Sequence, residues 1–155
     1  MNKRKRLLFL CTGNSARSQM AEGLLRHEAG DRYEAFSAGT QPSLVRREAI
    51  AVMHEIGIDI SGHRSKSIDE FKDQDLDTIV TVCDHAKESC PVFPGATQRL
   101  HWPFEDPASV TGTEEQRKDA FRKIRDLIHR RIMVFLDEGT MRYCGDGSRA
   151  LSQPV

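Results

Sequence analysis

Cys11 and Arg17 stand six positions apart within Cys11-Thr12-Gly13-Asn14-Ser15-Ala16-Arg17-Ser18, directly after the apolar run Leu7-Leu8-Phe9-Leu10. A thiol followed by five loop residues and an arginine can capture a tetrahedral oxyanion and attack it. The apolar run reads as a buried strand, and Ala16, Met20, Leu24 and Leu25 recur at helical spacing over 15–29, so Cys11 ends a strand just before a helix opens. Backbone N–H groups at such a junction converge on an anion, and the helix dipole adds partial positive charge. Thiols at helix N-termini or beside arginine titrate well below free cysteine, which makes Cys11 a candidate nucleophile at neutral pH. Arg17 supplies a planar fork for two oxygens of the anion. Thr12, Gly13, Asn14, Ser15 and Ala16 form the cradle: Gly13 permits positive φ or close backbone approach, and Asn14 tolerates left-handed geometry. Ser18 is placed to donate its hydroxyl proton to the Cys11 sulfur. A buried strand-end cysteine beside a solvated arginine would be the ordinary reading of either residue alone; the full string argues against it.

The elements that must position this loop alternate. Strands are expected over 6–11, 33–38, 77–83 and 98–102, with helices over 15–29, 45–56, 67–72 and 113–137 and helix stops at Gly30 and Gly139. Ala120, Phe121, Ile124, Leu127, Ile128, Ile132 and Phe135 form one stripe of the last helix. This order predicts an α/β fold, a four-stranded parallel sheet with helices on both faces, whose ligands bind at the carboxyl ends of the strands. One domain is expected over 1–139, with 140–155, including the spectator thiol Cys144, as a mobile tail.

The 155 residues suit a single domain. Lys and Arg total 23 and so do Asp and Glu, so no net field recruits nucleic acid or an anionic membrane, and anion capture must be local. The basic start 1–6 precedes an apolar run too short for a signal peptide or a membrane span. A cytoplasmic location is expected, where cysteines stay reduced unless they cycle catalytically.

Two further cysteines follow the third strand, in Cys83-Asp84-His85-Ala86-Lys87-Glu88-Ser89-Cys90-Pro91. On a helix, seven residues advance about 10.5 Å, beyond the roughly 4.4 to 6.8 Å between Cα atoms that a disulfide needs. A Cys83–Cys90 bond therefore requires the segment to unwind, which Pro91 eases because the residue before proline disfavours helix. The segment reads as a redox switch, ordered when reduced and rearranged when oxidised. The alternative reading makes Cys83 and Cys90 ordinary strand-end and helix-end residues.

The Cys-x5-Arg-Ser loop near the start resembles that of the low-molecular-weight protein tyrosine phosphatase superfamily. Together with Cys83, Cys90 and the downstream His101-Trp102-Pro103-Phe104-Glu105-Asp106-Pro107-Ala108, it looks like the thioredoxin-coupled arsenate reductases built on that fold, over residues 6 to about 137. The resemblance implies a three-cysteine relay. Cys11 attacks arsenate while Asp106 acts as general acid, Cys83 attacks Cys11 as arsenite leaves, and Cys90 attacks Cys83 to give a disulfide that thioredoxin reduces. It implies no metal or organic cofactor for catalysis. Asp106 before Pro107 also fits an ordinary turn or cap. Members of that branch can bind potassium through Asn, Glu, Ser and Asp; Asn14, Glu22 and Ser37 match three positions, whereas Lys66 stands in the fourth and its ammonium is expected to sit where the ion would.

Three alternatives define what the loop leaves open. A phosphatase would use Cys11, Arg17 and Asp106 through a phosphocysteine, although Ala108-Ser109-Val110 stand where phosphatases of this fold carry aromatic residues. A second keeps the reduction but takes glutaredoxin or a small thiol, as some related reductases do, in place of thioredoxin. A zinc-binding module built from Cys83, Cys90, His85 and His101 is the third, and its Cys-x6-Cys lacks the tight spacing of structural zinc motifs.

Overall fold

The computed structural model describes residues 3–90, 93, 95, 96 and 98–143. Strands β1 (Lys5–Cys11), β2 (Tyr33–Gly39), β3 (Thr78–Thr81) and β4 (Gln98–His101) form one sheet in the order β2-β1-β3-β4, every pair parallel. Four helices accompany them: α1 (Arg17–Ala29), α2 (Arg47–Glu55), α3 (Asp84–Ser89) and α4 (Glu114–Tyr143). The expected α/β architecture is the observed one.

β1 lies at the centre because it is apolar on both sides. Leu7, Leu8, Phe9 and Leu10 are all fully buried, as a parallel strand covered on two faces requires. Phe9 packs against Trp102, which in turn meets Phe135 of α4 edge-on, so α4 covers one face. On the other face Phe36, on β2, stacks at 5.5 Å from Phe71 of a 3-10 turn over Ile68–Phe71.

α4 opens with a reciprocal cap: Thr113 N–H donates to Gln116 Oε1 and Gln116 N–H to Thr113 Oγ1. Its core stripe is Phe121, Ile124, Ile128, Ile132 and Leu136. Two expectations for this helix are corrected. Leu127 is among the exposed large apolar residues, and the inner position beside Ile124 goes to Arg125, whose guanidinium donates to the Val52 carbonyl and pairs with Glu55. Gly139 does not stop the helix, which continues to Tyr143 across the expected domain edge; 144–155, the rest of the anticipated tail with Cys144, lie outside the described residues. α1 begins at Arg17, two residues later than its periodicity suggests, and the helix anticipated over 67–72 is a 3-10 turn. β3 ends at Thr81, so Cys83 caps α3 and is not a strand residue.

The consequence for function is topological. β1, β2 and β3 all deliver their carboxyl ends to one edge, and that edge carries Cys11, Gly39 and Cys83.

Candidate active site

The loop from Cys11 to Arg17 is held open by its own carbonyls. Thr12 O accepts from Gln41 N–H at 2.8 Å, Gly13 O from Ser43 N–H at 3.1 Å and the Ser65 hydroxyl at 2.9 Å, Asn14 O from the Gln19 amide at 3.0 Å, and Ser15 O from Arg46 N–H at 2.9 Å. Four successive carbonyls are thus tied away from the loop centre. Ala16, the residue that caps α1, offers no side-chain hydrogen bond, and the first turn carries no acidic residue, which leaves the helix end open to an anion.

Asn14 carries the one positive φ of a non-glycine described residue, +47°, the left-handed geometry expected to be tolerated there; of the two options open to Gly13, positive φ is not taken. Asn14 takes that strain because its side chain is fully engaged and buried. Its amide nitrogen donates to Ser18 Oγ at 2.8 Å and Ser37 Oγ at 2.9 Å, while its oxygen accepts from Lys66 N–H and the Gln19 amide. With Ser18 accepting from Asn14, its own proton points to Cys11 Sγ at 2.9 Å, and Asn14 N–H reaches the same sulfur at 3.2 Å. Two donors therefore stabilise negative charge on a sulfur that is 2% exposed.

Arg17 spans the cleft. One nitrogen donates to Phe104 O at 3.0 Å and another lies 3.8 Å from Asp106 Oδ2. Asp106 both caps and faces the site: Oδ1 accepts from Ala108 N–H at 2.9 Å while Oδ2 turns to Arg17. The capping and catalytic readings of Asp106 are therefore compatible, one oxygen for each.

Cys83 meets the loop at Thr12, whose hydroxyl lies 3.4 Å from Cys83 Sγ. Cys83 is buried and caps α3, its sulfur accepting from Ala86 N–H at 3.4 Å. Cys90 ends α3 in extended geometry, half-buried, with an Arg99 nitrogen 3.4 Å from its sulfur. No disulfide joins Cys11, Cys83 and Cys90. Asp84 pairs with His101 at 2.8 Å and fixes the start of α3 to β4. Among the described residues, no group of three or more His, Cys, Asp or Glu side chains is arranged to hold a metal ion.

The residues matched to a potassium site form a network that does not fit a cation. Ser37 donates to Glu22 Oε1 at 2.6 Å, both lone-pair directions of the Asn14 oxygen are taken by N–H donors, and the Lys66 ammonium sits 3.8 Å from Glu22 and 3.0 Å from Arg64 O. Arg26 pairs with the other Glu22 oxygen. Burial pushes Lys66 below the ordinary lysine range, and the Glu22 carboxylate pulls it back.

Sequence reading missed several supports of this loop. Gly39 is required because a Cβ there would meet Thr12 O at 2.5 Å and Asn14 N at 2.9 Å; its signal was only a glycine at the end of a strand. Gln19, Ser65 and the backbone of 41–46 are equally silent in sequence, since they act through backbone carbonyls. His63 completes the layer: Nδ1 donates to Gln19 Oε1 at 2.9 Å and Nε2 accepts from Arg26 at 3.1 Å, which fixes the neutral ring. Burial pushes His63 below the ordinary imidazole value, outweighing the nearby Glu22 carboxylate. An imidazole whose folded value is depressed costs stability as pH falls through the unfolded value, because the unfolded chain gains the proton first. Thermal melts are expected to drop from about pH 7.5 to about pH 5.5, either side of the ordinary imidazole value, and His63→Gln is expected to shrink that drop. An unchanged drop in the variant would remove His63 as its source.

The family model described as low molecular weight phosphotyrosine protein phosphatase matches residues 6–141. An arsenate reductase of Halalkalibacterium halodurans is 47% identical over 139 residues, covering 90% of this chain and 99% of the relative. A solved arsenate reductase in its phosphate binding state superposes with a TM-score of 0.70 at 34% identity, over 86% of this chain and 98% of that one. The thioredoxin-dependent arsenate reductase of Corynebacterium glutamicum superposes with a TM-score of 0.57 at 28% identity, over 81% of this chain and 61% of that one. With its loop, sheet order and near full-length match, the chain belongs to the low molecular weight phosphotyrosine protein phosphatase family.

Proposed function

We propose that this protein is an arsenate reductase that converts arsenate to arsenite through a Cys11, Cys83, Cys90 relay, with thioredoxin as the reductant. The observation that supports the reading is the contact between Thr12 of the anion loop and the Cys83 sulfur, which brings a second thiol against that loop. Phosphate ester hydrolysis has no chemical need of Cys83. The reductase relatives, matched over nearly their whole length, support the same choice.

Arsenate enters the loop between the open end of α1 and the Arg17 fork. The Cys11 sulfur attacks arsenic, and Asp106, poised beside Arg17, protonates the departing oxygen. Cys83 attacks the Cys11 sulfur; the sulfur–arsenic bond breaks with its electron pair left on arsenic, and arsenite departs. Cys90 then attacks Cys83, α3 unwinds to let the sulfurs meet, and Cys11 is restored as a thiol. The Cys83–Cys90 disulfide passes to thioredoxin by exchange. No helix among the described residues is long and apolar enough to cross a membrane, and a cytoplasmic setting would supply the reductant.

Hydrolysis of aryl phosphates is a second activity that Cys11, Arg17 and Asp106 support, because phosphate and arsenate share shape and charge. The deciding assay reconstitutes thioredoxin, its reductase and NADPH and follows NADPH oxidation on adding arsenate. Arsenate-dependent oxidation is expected; an arsenate-independent background with vigorous aryl phosphate hydrolysis would overturn the reading.

The Lys66 ammonium takes the role of a cation beside Glu22, so arsenate turnover is expected to be unchanged when potassium replaces sodium at constant ionic strength. Clear stimulation by potassium would refute that assignment.

A further inference from the structure

The relay requires Cys83 to lose a proton inside the fold, and neither Asp106 nor Arg17 is in contact with its sulfur. One hydroxyl is. Thr12 Oγ1 lies 3.4 Å from Cys83 Sγ and 3.2 Å from Nδ1 of His85, so a single side chain bridges the thiol and an imidazole. His85 is exposed on the first turn of α3, two residues from Cys83, while Cys83 is 6% exposed. A buried thiol is thereby wired to a solvent-facing base through one intervening oxygen.

We propose that His85 is the proton acceptor for Cys83, acting through the Thr12 hydroxyl, in the step that forms the Cys11–Cys83 disulfide; the inference rests on the reductase reading above. With its proton on Nε2, His85 accepts at Nδ1 from the Thr12 O–H, which leaves the Thr12 oxygen to accept from the Cys83 S–H. As the Cys83 sulfur attacks Cys11, the thiol proton moves to Thr12 and the Thr12 proton moves to His85. The new S–S bond forms as the Cys11–arsenic bond breaks. The electron pair of that bond stays on arsenic, so two sulfurs are oxidised by one electron each and arsenic gains two. Ala86 N–H, 3.4 Å from Cys83 Sγ, stabilises the charge that develops there. The proton then leaves from the exposed ring, and no buried carboxylate has to receive it. His85 thus acts through Thr12 and does not touch the reacting sulfurs.

The test uses the full, reduced chain with Cys90→Ser, so that the reaction stops at the Cys11–Cys83 disulfide, followed by rapid quenching and peptide mass mapping after mixing with arsenate. At saturating arsenate, His85→Ala is expected to slow disulfide formation by about a hundredfold, the low end of what a positioned proton acceptor contributes. The arsenate concentration giving half the maximal rate is expected to stay the same. Added imidazole is expected to restore the rate in His85→Ala and to leave Thr12→Val slow, since the valine has no hydroxyl to pass the proton. The double variant is expected to be no slower than Thr12→Val alone, because both changes cut one path. An undiminished rate in His85→Ala, or a loss that imidazole does not restore, would overturn the role of His85. Failure of the parent Cys90→Ser chain to form any disulfide with arsenate would overturn the reduction reading itself, and with it this step.

Discussion

Cys90→Ser will release one arsenite per chain and then stop, with Cys11 and Cys83 joined by a disulfide. Cys11 and Cys83 are 2% and 6% exposed, so a bond between them is closed to a protein reductant, whereas Cys90 is half-buried at the end of α3. In the proposed relay, transfer of the disulfide to Cys83 and Cys90 brings it out. Cys83→Ser will lose arsenate reduction altogether, since nothing else described touches the loop with a thiol, yet it will keep whatever aryl phosphate hydrolysis the native chain shows. Arsenite counted per chain, with mass mapping of the disulfide, checks both. Continued multiple turnover without Cys90 would refute the relay.

Arg17→Ala is expected to impair both activities together. In the proposed mechanism the guanidinium is the charged fork for the anion, and it also ties Phe104 and Asp106 to the loop. Removing one preorganised donor to a developing oxyanion costs on the order of 10² to 10³ in rate, and the loss of the acid loop's anchor adds to it. kcat/KM for arsenate should fall at least that far, and phosphate should bind more weakly. Arg17→Lys will not rescue, because an ammonium presents a point charge and cannot hold Phe104 O and the anion with separate nitrogens. Recovery by lysine would show that charge alone suffices and would remove the geometric role. The contrast with Cys83→Ser separates the two chemistries: one substitution removes electron transfer, the other removes the anion.

Much of the frame was legible in the residues. Parallel strands with two covered faces must be apolar throughout, so Leu7 to Leu10 announced β1, and the period of Phe121, Ile124, Ile128 and Ile132 announced α4. Leu127 misled because periodicity identifies a stripe and cannot say how wide the partner surface is; Arg125 won the inner position through a carbonyl on α2 that lies 73 residues away. Gly139 misled because glycine only weakens a helix interior by about 1 kcal/mol, and propensity does not compel a stop. Asp106 was visible as a candidate acid, but whether it capped or catalysed could not be read from Asp-Pro; the fold assigns one oxygen to Ala108 and the other to Arg17.

The sequence by itself determined the candidate nucleophile, the arginine six positions on, the two further cysteines and the alternating elements that bring strand ends together, because all of these depend on spacing within one segment or on the order of segments. Tertiary structure alone decided how the loop stays open. The loop's four outward carbonyls are held by Gln19 and by residues from 41 to 65, Gly39 makes room for them, and Asn14 accepts left-handed strain because Ser18, Ser37, Gln19 and Lys66 occupy its amide. It also decided that Thr12 joins Cys83 to His85, a contact across 71 and 73 residues. Hydrogen bonds between distant segments leave no period in a sequence, since any polar residue of suitable reach can make them and only the packed sheet fixes which one does.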